Sequence, residues 1–494
     1  MGGIKQQLRN GIDLLRRQIH PSWLIAVACS GIVLGVAAAR YMPIGSFGAI
    51  AWLMTGTSLV LFALIRARTW VVPIAILGGF TIGMWRGCVV TEGVAIYDGL
   101  LGKNVMLTGT VNEDTDINQR GQTTLRLRDV RVDGQPIGGM IWATTKRADY
   151  VHRSDHVELH GKLTTGFGTF NATMYGAELK KTVRPVPGDV ALNVRDWFGD
   201  GVRSAVNEPE SSLGLGFLLG QRRSLPPELD TALKAAGLTH IVVASGYNLT
   251  ILVRLARRLF EKVSKYMALL AAATMIVGFI GITGLSPSMS RAGLVAGLSL
   301  LAWYYGRRFH PLVLLPFAMA VTVLVQPSYA WGDLGWQLSF AAFAGVMLTA
   351  PLIQSYFFGD KSERTLRRIL IETVSAQVWT LPILLFSFGQ VSVVAPLANI
   401  LILPLVPLAM ILTFIAGLAG ILLPAVDHII GIPAQLVLVY MTHTTQYVGG
   451  LSWAMQNIQI TPIIVVCMYG AIIAATIYMY WRTRLRLEQT SLVE

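Results

Sequence analysis

The chain has few charged residues, few acidic residues and few cysteines. Only 14% of its 494 residues are charged, against about 25% in ordinary soluble domains, so the composition excludes a typical soluble globular protein. The three cysteines, Cys29, Cys88 and Cys467, are too few and too scattered for a disulfide framework or a zinc site. A P-loop of the form G-x-x-x-x-G-K-S/T is also absent, which excludes this means of nucleotide hydrolysis.

Long apolar runs make up much of the remaining sequence. Hydrophobic residues account for 53% of the chain. Runs of about 20 residues, the length that crosses a bilayer, occur near residues 22–39, 46–65 and 69–86 and repeatedly after residue 238. We therefore expect a polytopic α-helical membrane protein. A cleaved signal peptide is the alternative for the first run, but signal peptides have apolar stretches of only about 7 to 15 residues.

Basic residues predict the orientation of these spans. The net charge is +13, and four basic residues precede the first apolar run: Lys5, Arg9, Arg16 and Arg17. The positive-inside rule places the amino terminus in the cytoplasm and the segment after Arg86 outside. Further basic clusters follow every second apolar run after residue 238. The basic tail at residues 483–494 is therefore also expected inside.

Residues 100–186 break the apolar pattern with short alternating runs such as NVMLTGTV and TTLRLRDVRV. Several short strands separated by Gly, Asn and Asp predict a small all-β domain, and their number suits a five-stranded OB-like barrel. The apolar phase slips by one residue at Arg128 and Asp129, which is the pattern of a β-bulge. The predicted fold is a polytopic α-helical membrane protein with an inserted, extracytoplasmic OB-like domain.

Basic and aromatic residues of this β domain suggest a contact with single-stranded nucleic acid, because cations bind phosphates and rings stack on bases. The candidates are Arg126, Arg128, Arg131, Lys146, Arg147, Phe167 and Phe170. The alternative is an ordinary solvated strand with aromatic residues in the core. His152, His156 and His160 resemble a metal cluster, but a strand would spread them over about 26 Å. We expect no metal site.

Polar residues interrupt several apolar runs after residue 237. They occur in LTHIVVASGYNL (238–249), in SPSMSR (286–291), in GDLGWQLSF (332–340) and at Gln377. Polar groups at membrane depth usually mark a pathway or a site. Pro396, Pro404 and Pro407 also break the run that carries Asn399, either to line a cavity or as a kink that neighbouring helices accommodate. The pattern predicts a membrane-embedded conduit.

The order of these motifs resembles the ComEC-type DNA-uptake channels of naturally transformable bacteria. The similarity is strongest in LLGQRRSLPPEL, GLTHIVVASGYNL, SPSMSRA, GWQLSF and TLPILLFSFGQVSVVAPLAN. The family usually has aspartate where Gln221 stands, and Ser-Gly-Leu-His where residues 245–248 read Ser-Gly-Tyr-Asn. Many members also carry a metallo-β-lactamase-like domain. No HxHxDH motif is present here, so any nuclease is expected to be a separate protein.

The resemblance implies five segments. They are three N-terminal spans (1–95), the extracytoplasmic OB-like domain (100–186), amphipathic or interfacial helices (190–236), a competence-type transmembrane channel domain (237–482) and a basic cytoplasmic tail (483–494).

The function implied is a channel, not an enzyme, that passes single-stranded DNA across the cytoplasmic membrane of a bacterium without a cofactor. A separate DNA receptor, a nuclease, and a cytoplasmic motor or strand-binding protein are the expected partners. The expected lining residues are Arg222, Arg223, His240, Ser245, Tyr247, Asn248, Ser288, Arg291, Asp333, Gln337, Gln377 and Asn399. Ser288 with Arg291, and Asp333 with Gln337, have the spacing of residues that share a helix face.

Two other functions are compatible with parts of the sequence. A secondary transporter of a small anionic solute would use the same broken helix and midplane polar groups, but it leaves the β domain unexplained. A hydrolase would need His240 and Ser245 to face each other. On one continuous helix they would be about 140° apart, and no G-x-S-x-G elbow surrounds Ser245.

Overall fold

The computed structural model divides the chain into two compact units. One comprises residues 1–189 and 312–336, and the other comprises residues 190–311 and 337–494. The structure describes residues 18–42, 49–118, 120–148, 150–221, 225–242, 245–284, 286–306, 310–359 and 365–483.

The first unit begins with three apolar helices. These are α1 (Pro21–Ala39), α2 (Ala49–Arg66) and α3 (Val72–Ala95), with 3₁₀ turns at Thr69–Val71 and Ile96–Gly99. Glycines allow α1 and α3 to pack closely, since a Cβ on Gly79 would collide with the backbone carbonyl of Ala28. Such small-residue contacts are typical of membrane helices.

Seven strands follow, and five of them close into a barrel. They are β1 (Asn104–Val111), β2 (Asp116–Ile117), β3 (Thr123–Val132), β4 (Gln135–Pro136), β5 (Met140–Thr145), β6 (His156–Thr165) and β7 (Phe170–Val183). Pairing runs in the order β1-β6-β7-β5-β3 and returns from β3 to β1. Only the β5–β7 pair of this ring is parallel. The barrel encloses an aliphatic core, and the OB-like prediction is confirmed.

The predicted β-bulge is also present. Thr108 pairs with Arg131, whereas Thr110 pairs with Arg128, so β3 has one residue more than β1 in this interval. Asp129 lies inside the bulge with a left-handed backbone, φ 51°. Aspartate tolerates this conformation better than most residues, because its short polar side chain bonds locally.

Residues 312–336, which follow the segment 190–311 in the sequence, complete the first unit. Most of α11 (Pro311–Val325) and all of α12 (Tyr329–Gly332) belong to it. Arg86 on α3 donates from Nε to the carbonyl oxygen of Leu324 at 2.7 Å. The arginine therefore provides a hydrogen-bond donor for a carbonyl group in the last turn of α11. Gly332 of α12 is in close contact with Gly168 in the β6–β7 loop, which places this loop of the barrel against α12.

The second unit is helical. Its helices are α4 (Val190–Ala205), α5 (Glu210–Leu219), α6 (Pro227–Ala235), α7 (Thr239–Val242), α8 (Gly246–Glu261), α9 (Lys265–Thr283), α10 (Pro287–Tyr304), most of α13 (Leu334–Ala344), α14 (Ala350–Phe358), α15 (Thr365–Phe388), α16 (Ala395–Ile402), α17 (Val406–Leu422), α18 (Asp427–Gly449) and α19 (Pro462–Thr483). A π segment at Gly345–Thr349 joins α13 to α14. The short strands β8 (Gln390–Ser392) and β9 (Met455–Asn457) form an antiparallel pair.

Within the part of the chain that the structure describes, seven helical segments are long and apolar enough to cross a membrane. They are Pro21–Ala39, Thr69–Gly99, Lys265–Thr283, Leu334–Phe358, Thr365–Phe388, Ala395–Leu422 and Pro462–Thr483. Three shorter apolar helices add to them: Ile50–Arg66, Glu210–Leu219 and Leu312–Val325. The protein is therefore a multi-pass helical membrane protein with an inserted β domain.

Two expectations about residues 190–249 are corrected. All ten residues of α5 are buried, so this helix belongs to the core of the second unit and not to a membrane surface. The apolar run at 238–249 does not form one continuous span either. It contains the four-residue α7, and α8 begins at Gly246 after an N-cap at Ser245. The serine–glycine pair supplies the extended cap that separates the two helices.

Candidate functional site

Several polar residues that interrupt the apolar runs are helix N-caps. Ser245 accepts a hydrogen bond from the backbone N–H of Asn248 at 3.4 Å, and Ser286 accepts one from Met289 at 3.3 Å at the start of α10. Asp333 lies just before α13 and accepts from the N–H of Trp336 at 2.6 Å. These side chains satisfy amide groups that the first helical turn leaves free. The shared helix face expected for Asp333 and Gln337 is therefore wrong, because Asp333 precedes the helix.

Arg291 brings three of the motifs together. Its Nε donates to Ser339 Oγ of α13 at 2.7 Å, and its guanidinium carbon lies 5.1 Å from the ring centroid of Phe343. A guanidinium nitrogen would be 3.3 Å from a Cβ built on Gly246. SPSMSR, WQLSF and SGYN, which are far apart in the sequence, thus meet at one guanidinium.

The surroundings of Arg291 favour a negatively charged ligand. Gly246 is the first residue of α8, and a Cβ there would lie 3.2 Å from Cβ of Ala292 in α10. The N-terminus of α8, which carries a partial positive charge of about half a unit, therefore lies beside the guanidinium and against the second turn of α10. Among the described residues, no carboxylate forms an ion pair with Arg291. Helix N-termini and arginine together suit a phosphate group. Ser288 lies in the first turn of α10 and is partly exposed.

Tyr247 connects this region to the proline-broken span. Its hydroxyl donates to the carbonyl oxygen of Leu403 at 3.4 Å, within the 3₁₀ turn Leu403–Leu405 that separates α16 from α17. Asn399 is buried, and its amide nitrogen donates to Ala395 O within α16 at 2.9 Å. The Leu403 carbonyl also accepts a hydrogen bond from the N–H of Val406. The break between α16 and α17 is thus supported by its own backbone and by α8, as expected for a kink that neighbouring helices accommodate.

Asn248 is a correction to the predicted lining. It is fully buried, and its amide nitrogen donates to Phe217 O at 3.0 Å and to Ile241 O at 3.1 Å. It therefore ties α5 and α7 to α8. A side chain enclosed in this way does not line a passage in this conformation.

The remaining predicted lining residues differ in their exposure and in their hydrogen-bond partners. Gln377 donates to Ser392 O at 3.0 Å, which supports the loop before α16. The exposed His240 shares a 3.1 Å hydrogen bond with Gly237 O, and Gln337 is partly exposed. Arg222 and Arg223 lie outside the described residues.

In the barrel, two of the five predicted cations are neutralised by carboxylates. Arg126 forms ion pairs with Glu113 at 2.7 Å and with Asp116 at 3.3 Å, and Arg128 lies 3.5 Å from the Asp129 carboxylate. Further cations on the surface are the exposed Arg131, Lys146 and Arg147. His156 and His160 lie on β6, and the first shares a hydrogen bond with Thr110.

The barrel instead presents a cluster of four aromatic rings, which we call the aromatic cluster: Trp142, Phe167, Phe170 and Tyr175. Trp142 contacts Phe167 and Tyr175 with ring centroids 5.6 and 5.3 Å apart, and Phe167 lies 5.5 Å from Phe170. Phe167 and Tyr175 are 50% and 60% exposed, so these rings are not core residues. The sequence prediction did not include Trp142. Its neighbours Ile141 and Ala143 are buried, so the alternation of side chains along β5 places Trp142 on the outer face of the barrel.

Comparison with known families agrees with this arrangement. The family model described as "Competence protein" matches residues 217–484, from α5 to the end of α19. The chain belongs to the competence protein family. This match confirms the resemblance to ComEC-type proteins, and it covers every contact of Arg291 and Tyr247 described above.

Two relatives extend the comparison. "ComE operon protein 3" of Bacillus subtilis (strain 168) is 25% identical over 213 residues, which are 42% of this chain and 26% of that protein. An uncharacterized protein of Aquifex aeolicus (strain VF5) is 25% identical over 303 residues, or 60% of this chain and 66% of that protein. The chain thus spans less than two thirds of each relative. No solved structure matches it.

Proposed function

We propose that this membrane protein acts in DNA uptake and passes a single DNA strand across the cytoplasmic membrane. Membership of the competence protein family supports the process, and the observation that carries the proposal is Arg291. It lies on α10 beside the N-terminus of α8 and has no carboxylate partner among the described residues. Its contacts are Ser339 and aromatic rings. A cation placed in this way attracts phosphates without a competing internal anion.

The two units have complementary roles in this proposal. The aromatic cluster stacks on bases, which is independent of sequence because every base has a flat aromatic face. Arg291 contacts successive phosphates, while Ser288 and Tyr247 offer hydroxyl groups. A passing strand needs contacts that are weak and repeated, and one guanidinium flanked by hydroxyls provides them better than a row of cations.

The orientation belongs to the same proposal. Basic residues on the loops predict a cytoplasmic amino terminus and a barrel outside the bacterial membrane. The strand would then meet the barrel first. Delivery of DNA, removal of the second strand and pulling from the cytoplasm are assigned to separate proteins: a receptor, a nuclease, and a motor or strand-binding protein.

The test is the entry of labelled DNA into cells that carry the full chain, a deletion, Arg291→Ala or Arg291→Lys at equal expression. We expect the deletion to keep surface-bound DNA and to lose entry. Arg291→Ala should reduce entry about tenfold or more, because a charged hydrogen bond contributes about 1.5–3 kcal/mol. Arg291→Lys should retain part of the entry, and the matched control Arg258→Ala should retain nearly all.

Competition distinguishes DNA from a small anionic solute. Excess unlabelled DNA should abolish entry of the label in cells with the full chain. Normal entry in the deletion strain would exclude DNA passage through this protein.

A further inference from the structure

Three helix ends of the second unit meet in a cluster of cations and aromatic rings. The guanidinium carbon of Arg257 on α8 lies 5.2 Å from the ring centroid of Trp303 at the end of α10. Lys265, the first residue of α9, places Nζ 5.6 Å from the same centroid and 5.4 Å from that of Tyr304. The last turns of α8 and α10 and the first turn of α9 therefore share one location.

The start of α15 belongs to the same location. Arg254, one turn before Arg257 on α8, interacts electrostatically with Arg368 and Glu372 of α15. Arg368 already binds the Glu372 carboxylate at 2.8 Å. We call Arg254, Arg257 and Lys265 the Arg254 cluster. Within the described ranges, none of its three members forms an ion pair, and Glu372, the carboxylate that interacts with Arg254, is already bound to Arg368. The cluster therefore has an excess of positive charge.

Two atoms of this cluster lack a partner. The Nε atoms of Arg254 and Arg257 are buried and make no hydrogen bond among the described residues. A buried donor without an acceptor is costly and rare in native proteins. Arg254 and Arg257 are one helical turn apart on α8. Both guanidinium groups could therefore donate to one ligand that has several acceptor oxygen atoms.

The position of the cluster indicates which acceptor this is. Lys265 begins one candidate span, and Arg368 with Glu372 lies in the first two turns of another. Apolar and aromatic side chains are exposed around it, among them Leu259 (63%), Tyr266 (62%) and Tyr305 (71%). Aromatic residues beside cations at the ends of spans are typical of the level of lipid headgroups.

We propose that the Arg254 cluster binds the phosphate of an anionic phospholipid headgroup, with the acyl chains against the exposed apolar side chains next to it. Basic sites between the ends of membrane helices commonly bind such headgroups. A DNA strand is a poorer match, because exposed aliphatic residues such as Leu259 and Val263 favour hydrocarbon over a polyanion. The bound lipid would hold the ends of α8, α9, α10 and α15 together.

The experiment measures lipid binding to the purified full chain. The protein in neutral detergent is titrated with phosphatidylglycerol or phosphatidylcholine, and binding is followed by native mass spectrometry and by the unfolding midpoint. Inorganic phosphate and a 20-nucleotide single strand are titrated separately. We expect phosphatidylglycerol to bind and to raise the midpoint, phosphatidylcholine to do neither, and inorganic phosphate to bind far more weakly.

Variants assign the effect to the cluster. Arg254→Gln and Arg257→Gln should each weaken phosphatidylglycerol binding about fivefold, the effect expected for one cation at an anionic surface. The matched control Arg258→Gln removes the same charge from an exposed position on α8 and should change it less than twofold. Equal loss in all three variants, or equal binding of the two lipids, would overturn the proposal. Binding of the oligonucleotide but not of phosphatidylglycerol would overturn it as well.

Discussion

The barrel and the helical unit differ in the arginines that lie at their candidate sites. In the barrel, Arg126 binds two carboxylates, and Arg184 forms an ion pair with Asp155 at 3.0 Å, whose hydrogen bond raises the pKa of Arg184. In the helical unit, Arg291 and the Arg254 cluster have no carboxylate partner among the described residues. Paired cations hold loops in place, whereas cations without an internal anion are available to a phosphate. In the proposed function, the barrel would therefore recognise DNA through its aromatic rings, and the helices through charge.

The most destabilising change should be the loss of a buried ion pair in the barrel. Arg153 and Asp189 lie 2.7 Å apart, with side chains only 8% and 15% exposed. Arg153→Ala should lower the free energy of unfolding by about 3 kcal/mol, because it removes the cation paired with a buried carboxylate. Thermal unfolding of the purified chain measures this. Its control, Lys180→Ala, breaks the exposed pair with Glu178 and should not move the midpoint. An unchanged midpoint in Arg153→Ala would show that pairing in the barrel is not structural.

A smaller loss of stability is expected at Asn248 in the helical unit. Asn248→Ala removes two hydrogen bonds, so the carbonyl oxygens of Phe217 and Ile241 each lose one donor. The cost should be about 2 kcal/mol, measured by the same unfolding experiment. If Asn248→Ala were instead as stable as the original chain and blocked DNA entry, Asn248 would line the passage after all.

Binding of single-stranded DNA by the barrel should depend on the rings of the aromatic cluster and not on the charge of Arg126. The double variant Phe167→Ala/Tyr175→Ala should weaken binding of a single-stranded oligonucleotide to the full chain at least about thirtyfold, because each of two stacked bases contributes about 1–3 kcal/mol. Arg126→Gln, whose charge is already neutralised by Glu113 and Asp116, should change the affinity less than twofold. Fluorescence anisotropy at fixed salt measures both. A larger effect of Arg126→Gln would reverse the assignment within the barrel.

The smallest of these effects should come from displacing Arg291 without removing it. A Cβ on Gly246 would lie 3.3 Å from the guanidinium and 3.2 Å from Ala292, so Gly246→Ala should shift Arg291 by a few tenths of an ångström and reduce DNA entry severalfold. Gly297 lies on α10, the helix that carries Arg291, and a Cβ built on it would have no atom within 4 Å. Gly297→Ala should therefore leave DNA entry unchanged. Equal entry in both variants would mean that the position of Arg291 is not critical.

Local features of this fold could be predicted from the sequence. Alternation of apolar residues predicted the strands of the barrel, and a single slip in that alternation predicted the bulge at Asp129. The order of motifs predicted the family. The helix caps at Ser245, Ser286 and Asp333 could also have been predicted, because Ser or Asp before an apolar run is a recognised helix start.

Long-range contacts could not be predicted. Arg126 looked like a free cation because the carboxylates that neutralise it are distant in sequence: Glu113 lies on a loop 13 residues away, and Asp116 lies on a strand 10 residues away. Asn248 looked like a lining residue because its acceptor Phe217 is 31 residues distant. Both residues have the type expected at a nucleic-acid or pore contact. Only the packing of other elements decides whether such a group is already partnered.

The most direct test of the central claim is photo-crosslinking to DNA during uptake. Tyr247 and Tyr440 are both in the helical unit and almost equally exposed, at 43% and 44%, but only Tyr247 is adjacent in sequence to Gly246 beside Arg291. A photoreactive phenylalanine replaces each in turn, and cells taking up labelled DNA are irradiated. We expect the strand to crosslink at position 247 and not at position 440. Equal labelling of the two positions, or labelling at 440 alone, would contradict passage of DNA beside Arg291.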